Sequence, residues 1–442
     1  MTRVLLMCGL ASLVVAGLSV SSCSSANGES AASGGAGGGQ AAGVVSDGEW
    51  TDELSSADSE FAFALYERLR SRDGNIFFSP HSIYTALAMT YVGARGETER
   101  QMADALGLPG LGFQPDGRFT DEYRGRLAGA FGALASGLSS EDGDSTHTFA
   151  EANALWHQEG YGFLDPFLVL NRDGFGARAS ELDFAHDWEG ARVTINEWVE
   201  ERTRGKIENL IRPGDLDNLV RIVLTNAVYF KGLWEEQFDP GATRDAVFHA
   251  RPGDPSGDVE VPTMRRKGEY RYARPESGDL ALLELPYEGD GVSMLIVLPD
   301  EGLPGGLLSV EKILSADALE AWDSLMRSRE VHVALPRFEM TWGTENIIPD
   351  LEAMGITDLF SDAADLSGMD GTRELYVSKV LHKAFVEVNE EGTEAAAATA
   401  VVGRLKAVMP LMFTVDRPFL FLIRDIGTGT VLFMGRVTDP TA

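Results

Sequence analysis

Cysteine is nearly absent from this chain: among 442 residues it occurs only as Cys8 and Cys23. Both lie in the N-terminal segment, so nothing beyond it can form a disulfide or a thiolate metal site. The core must hold by packing, and a hydrophobic content of 44% is enough to supply one. Cations are scarce too, with 37 Lys and Arg against 68 Asp and Glu and a formal charge of −31 at pH 7. Nucleic acid and anionic lipid would be repelled, which excludes electrostatic binding to either. The excess acid reads as a solvated, aggregation-resistant surface. Catalytic signatures are missing as well. There is no G-x-S-x-G elbow, no H-E-x-x-H, no G-x-x-x-x-G-K-[ST] and no G-x-G-x-x-G. These absences argue against an enzyme, and neither a metal nor a cofactor is expected.

What is present begins with a targeting segment. Arg3 precedes a mostly apolar run from Val4 to Val20, the length of a signal peptide's apolar core. The sequence Val20-Ser-Ser-Cys23 follows and resembles the lipobox of bacterial lipoproteins, which implies lipidation of Cys23. The alternative is an ordinary signal peptide or a span with an incidental cysteine. Against a span stands the stretch from Ser24 to Gly43, almost entirely Ser, Ala and Gly, the composition of a flexible tether. The expected organisation is a signal peptide over 1–22, a lipidated tether over 23–48 and one domain over 49–442. The expected location is secreted and anchored by lipid to a bacterial cell envelope.

Periodicity then gives the elements. Phe61, Leu65 and Leu69 at four-residue spacing predict an amphipathic helix over Glu60–Arg70. Ser79-Pro80 reads as an N-cap and first-turn proline, opening a helix with Ile83, Leu87 and Tyr91 along one side. A third helix is predicted from Gly96 to Leu106, stopping at Gly107. Strands dominate later, at Arg221–Phe230, Met294–Leu298, Val331–Leu335, Val377–Asn389 and Phe419–Ile423. No repeat is visible, and the mixture predicts an α+β fold with large sheets. Two strands hold a polar residue on the apolar face. Alternation puts Asn226 beside Leu224 and Val228, and His382 beside Val380, Ala384 and Val386. Each would cost a few kcal/mol if buried without a partner. A satisfied core histidine is the simpler reading of His382 taken alone.

An ordered series of motifs resembles the serpin family. It opens with Asn75-Ile-Phe-Phe-Ser-Pro-His-Ser-Ile83 and Thr225-Asn-Ala-Val-Tyr-Phe-Lys-Gly-Leu-Trp234. Glu284-Leu-Pro-Tyr287, Leu335-Pro-Arg-Phe338 and Met354-Gly-Ile356 follow in order. Val380-Leu-His-Lys-Ala-Phe-Val-Glu-Val-Asn-Glu-Glu-Gly392, Asp416-Arg-Pro-Phe-Leu-Phe421 and Phe433-Met-Gly-Arg-Val437 complete it. The resemblance implies a helical bundle over three β-sheets with an exposed reactive-centre loop. It implies a shutter of Ser79, Ser82, Asn226 and His382 under the central sheet, and a breach at Trp234. The implied hinge begins with Glu390, Glu391, Gly392, Thr393 and Glu394, and continues through Ala395, Ala396, Ala397, Ala398 and Thr399.

In such proteins a protease cuts the loop and the freed segment enters the central sheet as a new strand. The alternate residues Thr393, Ala395, Ala397, Thr399 and Val401 would turn inward, and all are small and uncharged. A flexible Ala/Thr linker is the bland alternative. The expected function is irreversible inhibition of a trypsin-like serine protease by a metastable monomer, with elastase-like and subtilisin-like proteases as further options for the partner. A non-inhibitory serpin acting as a surface binding or structural protein is the runner-up. Counting fourteen residues on from Gly392, the spacing that the resemblance implies, reaches Lys406, so the reactive bond is expected at Lys406–Ala407. Arg404–Leu405 is its rival.

Overall fold

Helix α1 (Asp47–Leu69) begins three turns earlier than the Glu60–Arg70 pattern predicts. Its acidic first half hides a second apolar series, Trp50, Leu54 and Ala57, all buried. The computed structural model describes residues 47–108, 120–138, 147–289, 291–393 and 410–442. After α1 come β1 (Ile76–Phe78), α2 (Pro80–Tyr91), α3 (Gly96–Ala105), α4 (Asp121–Leu138), β2 (His147–Gln158), α5 (Asp165–Val169), β3 (Arg178–Leu182) and α6 (Phe184–Arg202). The next strands are β4 (Ile222–Leu233), β5 (Arg244–His249), β6 (Asp258–Ala273), β7 (Leu280–Pro286) and β8 (Val292–Pro299). Helices α7 (Leu307–Glu311) and α8 (Ala316–Leu325) lead to β9 (Arg327–Pro336) and β10 (Phe338–Asn346). Two short helices, α9 (Ile348–Ala353) and α10 (Ser367–Asp370), precede β11 (Leu381–Val388) and β12 (Gly392–Thr393). The chain closes with β13 (Leu411–Thr414), β14 (Phe419–Asp425) and β15 (Val431–Val437).

Among the described residues, hydrogen bonding connects these strands along two paths, the first of which carries two of the three expected sheets. The first has the order β1-β15-β14-β8-β7-β6-β9-β13, with β5 also on β6. Its continuity comes from β6, whose 16 residues pair with β5 near one end and β7 at the other. One long strand thus joins two expected sheets. The second sheet has the order β10-β11-β4-β2-β3, with β12 also on β4.

The six-stranded sheet is buried on both faces. Phe230, Met340, Ala384, Val386 and Val388 meet Ile296, Phe421 and Phe433 of the other sheet in one apolar cluster. On the opposite face Trp156 and Phe385 pack against Ile195, Trp198 and Val199 of α6. That arrangement makes strand separation here an event in the core, not at the surface. Strand β11 starts at Leu381, four residues later than the Val377–Asn389 prediction. Before it, Val377 donates its N–H to Leu359 instead of entering the β ladder.

Candidate functional site

The joint between β4 and β11 is closed at one end only. The two strands run parallel and pair from His382↔Asn226 to Phe385↔Tyr229. Both outer neighbours continue further: β2 follows β4 as far as Gly232, and β10 follows β11 to Val388. Among the described residues, β11 makes no pair with β4 beyond Tyr229. At the top of that gap the chain reverses. Asn389 and Gly392 exchange backbone hydrogen bonds at 3.0 and 3.3 Å, with Glu390 and Glu391 between them. Strand β12 then pairs antiparallel with β4, Gly392 opposite Leu233 and Thr393 opposite Gly232.

Glycine is required at position 392. Its φ is +143°, and a Cβ there would lie 2.0 Å from the Gly232 carbonyl oxygen. Any side chain would therefore strain the backbone and push β12 off β4. The preceding turn is fastened from several sides. Trp234 donates its backbone N–H to the Glu391 carbonyl at 2.8 Å and its indole Nε1–H to the Asn389 carbonyl at 3.0 Å. Its ring stacks on Tyr287 with centroids 4.5 Å apart. Phe238 donates its N–H to the Glu390 carbonyl at 2.8 Å.

Glu390 itself is 4% exposed. Its Oε1 accepts from Arg337 Nε at 2.8 Å, from Arg337 Nη2 and from the Thr243 hydroxyl. Burial pushes this carboxyl up, but the hydrogen bonds from Arg337 and Thr243 outweigh it and hold it below its ordinary value. Glu390 therefore stays ionised, clamping the loop's first turn to the head of β10. Sequence reasoning missed Arg337 and Thr243, which are distant in the chain. The signal that could have found Arg337 lies in Leu335-Pro-Arg-Phe338, whose lone cation precedes a strand.

The closed end rests on a polar cluster. Ser79 caps α2 by accepting from Ser82 N–H at 3.2 Å, and its hydroxyl donates to the Leu432 carbonyl at 2.7 Å. Its own N–H donates to His382 Nε2 at 3.0 Å. His382 is 1% exposed, and burial lowers its pKa to about 3. The imidazole is thus neutral with its proton on Nδ1. Ser79, Ser82 and His382 are brought together, and the backbone of Asn226 lies beside that of His382 in the ladder. From outside, Lys383 Nζ donates to the Glu208 carbonyl at 2.6 Å and Lys206 pairs with Glu387 at 3.3 Å. The segment after α6 therefore straps β11 down.

Of the remaining sequence expectations, Glu394, Ala395 to Ala398, Thr399, Arg404, Leu405, Lys406, Ala407 and Cys23 lie outside the described residues. The family model Serpin (serine protease inhibitor) matches residues 56–440. Human leukocyte elastase inhibitor is 39% identical over 397 residues, covering 88% of this chain and 100% of that protein. An uncharacterized serpin-like protein of Thermococcus kodakarensis is 41% identical over 403 residues, covering 90% of this chain and 88% of its own length. Among solved structures, uncleaved ovalbumin superposes with a TM-score of 0.76 at 32% identity, covering 88% of this chain and all of that one. Human thyroxine-binding globulin complexed with thyroxine also gives 0.76, at 30% identity and 89% coverage of this chain against all of its own. With the motif series, the half-open parallel joint and these matches in hand, the chain belongs to the serpin family.

Proposed function

We propose that this serpin is a suicide-substrate inhibitor of a trypsin-like serine protease and not itself an enzyme. The observation that carries the reading is β12: the loop's first two residues already lie antiparallel on β4, at the open end of its joint with β11. Continuing that register sets position 399 opposite Asn226 and position 403 opposite Ile222, the first residue of β4. A Cβ on Gly232 would meet the rings of Phe230 and Tyr287, so Gly232 marks the inner face. The register that starts with Thr393 opposite Gly232 assigns Ala395, Ala397, Thr399 and Val401 to that face. Small side chains there let a strand enter a packed core.

The protease serine would attack the Lys406 carbonyl carbon. The Lys406–Ala407 bond breaks, the Ala407 amine leaves with a proton, and Lys406 stays esterified to the enzyme. The freed strand then fills the joint. About a dozen ladder hydrogen bonds at roughly 0.5–1.5 kcal/mol each supply on the order of 10 kcal/mol. That matches the whole stability of an ordinary domain and suffices to distort a tethered protease. Lysine suits a pocket with an acidic base. The elastase inhibitors among the relatives make an elastase the alternative partner, cutting among Val401 to Gly403. Mass spectrometry of the C-terminal peptide released by trypsin tests the bond. A peptide starting at Ala407 supports Lys406, and one starting at Leu405 moves the bond to Arg404. The same reading includes lipidation at Cys23 and retention at a bacterial envelope, with action as a monomer.

A further inference from the structure

The segment between α6 and β4 lies across the joint that a new strand would enter. Strand β4 sits between β2 and β11 in the sheet. Ile207, Leu210 and Ile211 of the segment share an apolar cluster with Trp156 of β2 and Phe385 of β11. On the β2 side the segment is tied to α6. Asn196 and Ile211 exchange two hydrogen bonds of 2.9 Å, and Arg192 Nη1 donates to the Ile211 carbonyl at 3.1 Å. On the β11 side it is tied by three lysines. Lys206 pairs with Glu387 at 3.3 Å and lies 4.8 Å from the Phe385 ring centre. Lys383 Nζ donates to the Glu208 carbonyl at 2.6 Å, and Lys379, just before β11, pairs with Asp215 at 2.6 Å. The segment is also strained. Arg204 and Asn209 hold φ of +54° and +51°, the left-handed region that residues with side chains seldom adopt. Such conformations persist where neighbouring contacts hold them.

We propose that Lys206, Lys379 and Lys383 set the rate at which a strand enters the β4–β11 joint. A strand added there moves β11 away from β4 by one more strand spacing, about 4.8 Å. Contacts of 2.6 and 3.3 Å do not survive that displacement while the segment stays tied to α6. One side has to let go. The bonds between Asn196 and Ile211 are buried, whereas the two ion pairs on the β11 side have side chains 22–38% exposed. Water and salt weaken such pairs, so the β11 side opens first. Its release also lets Arg204 and Asn209 relax. After cleavage, strand entry competes with hydrolysis of the ester that holds the protease, so these lysines govern the share of protease trapped. The inference rests on the inhibitory reading, because a joint that accepts no strand needs no gate.

Uptake of a labelled synthetic peptide with the sequence of residues 392–403 by the uncut protein tests the gate without any protease. Uptake by the parent should quicken between about 0.02 and 0.5 M NaCl, as the Debye length falls from roughly 20 to roughly 4 Å. Lys206→Met combined with Lys379→Met removes both ion pairs and keeps the apolar stems. Lys383 is left in place because its neighbour His382 holds the shutter. The double variant should take up peptide about three- to tenfold faster at low salt and lose the salt response. Arg100→Met, which breaks the pairs with Glu97 and Asp104 on α3, controls for a general loss of ion pairs and should match the parent. A parental rate in the double variant, an undiminished salt response, or equal acceleration by Arg100→Met would overturn the gate and leave the inhibitory reading standing. Absence of uptake by the parent at either salt concentration would overturn both.

Discussion

Arg337 Nε donates to Glu390 Oε1 at 2.8 Å, and this contact ties the first turn of the loop to the head of the neighbouring strand. Glu390 is almost fully buried whereas the Arg337 side chain is 44% exposed, so the carboxylate depends on the pair more than the guanidinium does. Arg337→Ala would leave the Thr243 hydroxyl as the remaining side-chain donor to Glu390. The expected loss is about 1–3 kcal/mol, reduced towards the lower figure by solvent screening of the exposed partner. A urea titration of the variant should show a lower midpoint with an unchanged slope. An unchanged midpoint would mean that the pair does not hold the turn.

The shutter should respond to acid. The folded-state pKa of His382 lies near 3, below its ordinary 6.5. A depressed histidine pKa means that the unfolded chain takes up the proton first. Stability is then unaffected above pH 6.5 and falls progressively between about pH 6.5 and pH 3. From pH 7.5 to pH 5 the loss from this group is on the order of 2 kcal/mol. His382→Ala should lose that portion of the pH dependence and, having lost the acceptor of Ser79 N–H, form loop–sheet polymers on mild heating. Identical pH profiles for parent and variant would return His382 to the status of an ordinary core residue.

Much of this architecture was legible in the chain. Four-residue spacing found the core side of α1 through Phe61, Leu65 and Leu69, and Ser79-Pro80 marked the start of α2 with its cap bond. Strand alternation picked out His382 as polar on an inward face, and its partner turned out to be a backbone N–H 303 residues away. Such partners are invisible to spacing, as were Arg337 and Thr243 for Glu390. Boundaries failed where tertiary contacts decide them. Val377 and Val380 have strand-like side chains, but β11 begins where β4 and β10 offer it edges. The joining of two expected sheets through β6 is likewise a matter of strand length, which periodicity does not report.

At the hinge, two substitutions separate cleavage from trapping. Gly392→Ala places a methyl group against the Gly232 carbonyl in a backbone conformation that disfavours it, a strain of about 1–3 kcal/mol. Thr393→Arg puts a guanidinium at a position paired with Gly232, where desolvation opposes entry into the sheet. Both variants should be cut by trypsin at the parental rate, and both should require more inhibitor per protease inactivated. Parental stoichiometry in Thr393→Arg would show that the register does not begin as proposed.

Anchoring has its own test. Cys23→Ala should abolish lipid modification and move the protein from the membrane fraction to the soluble fraction, or stall its processing. More than one acyl chain is needed for stable retention, so partial release would indicate a single one. Unchanged fractionation would refute the lipid anchor.

The central claim is that loop cleavage drives a strand into the β4–β11 joint while the protease is still attached. Mixing the soluble domain with an equimolar amount of trypsin and resolving the products in SDS tests it most directly. The account predicts a band at the summed mass of trypsin and the cleaved inhibitor, stable to boiling in detergent, with trypsin activity lost in parallel. Complete conversion to cleaved protein, with full trypsin activity and no such band, would contradict it.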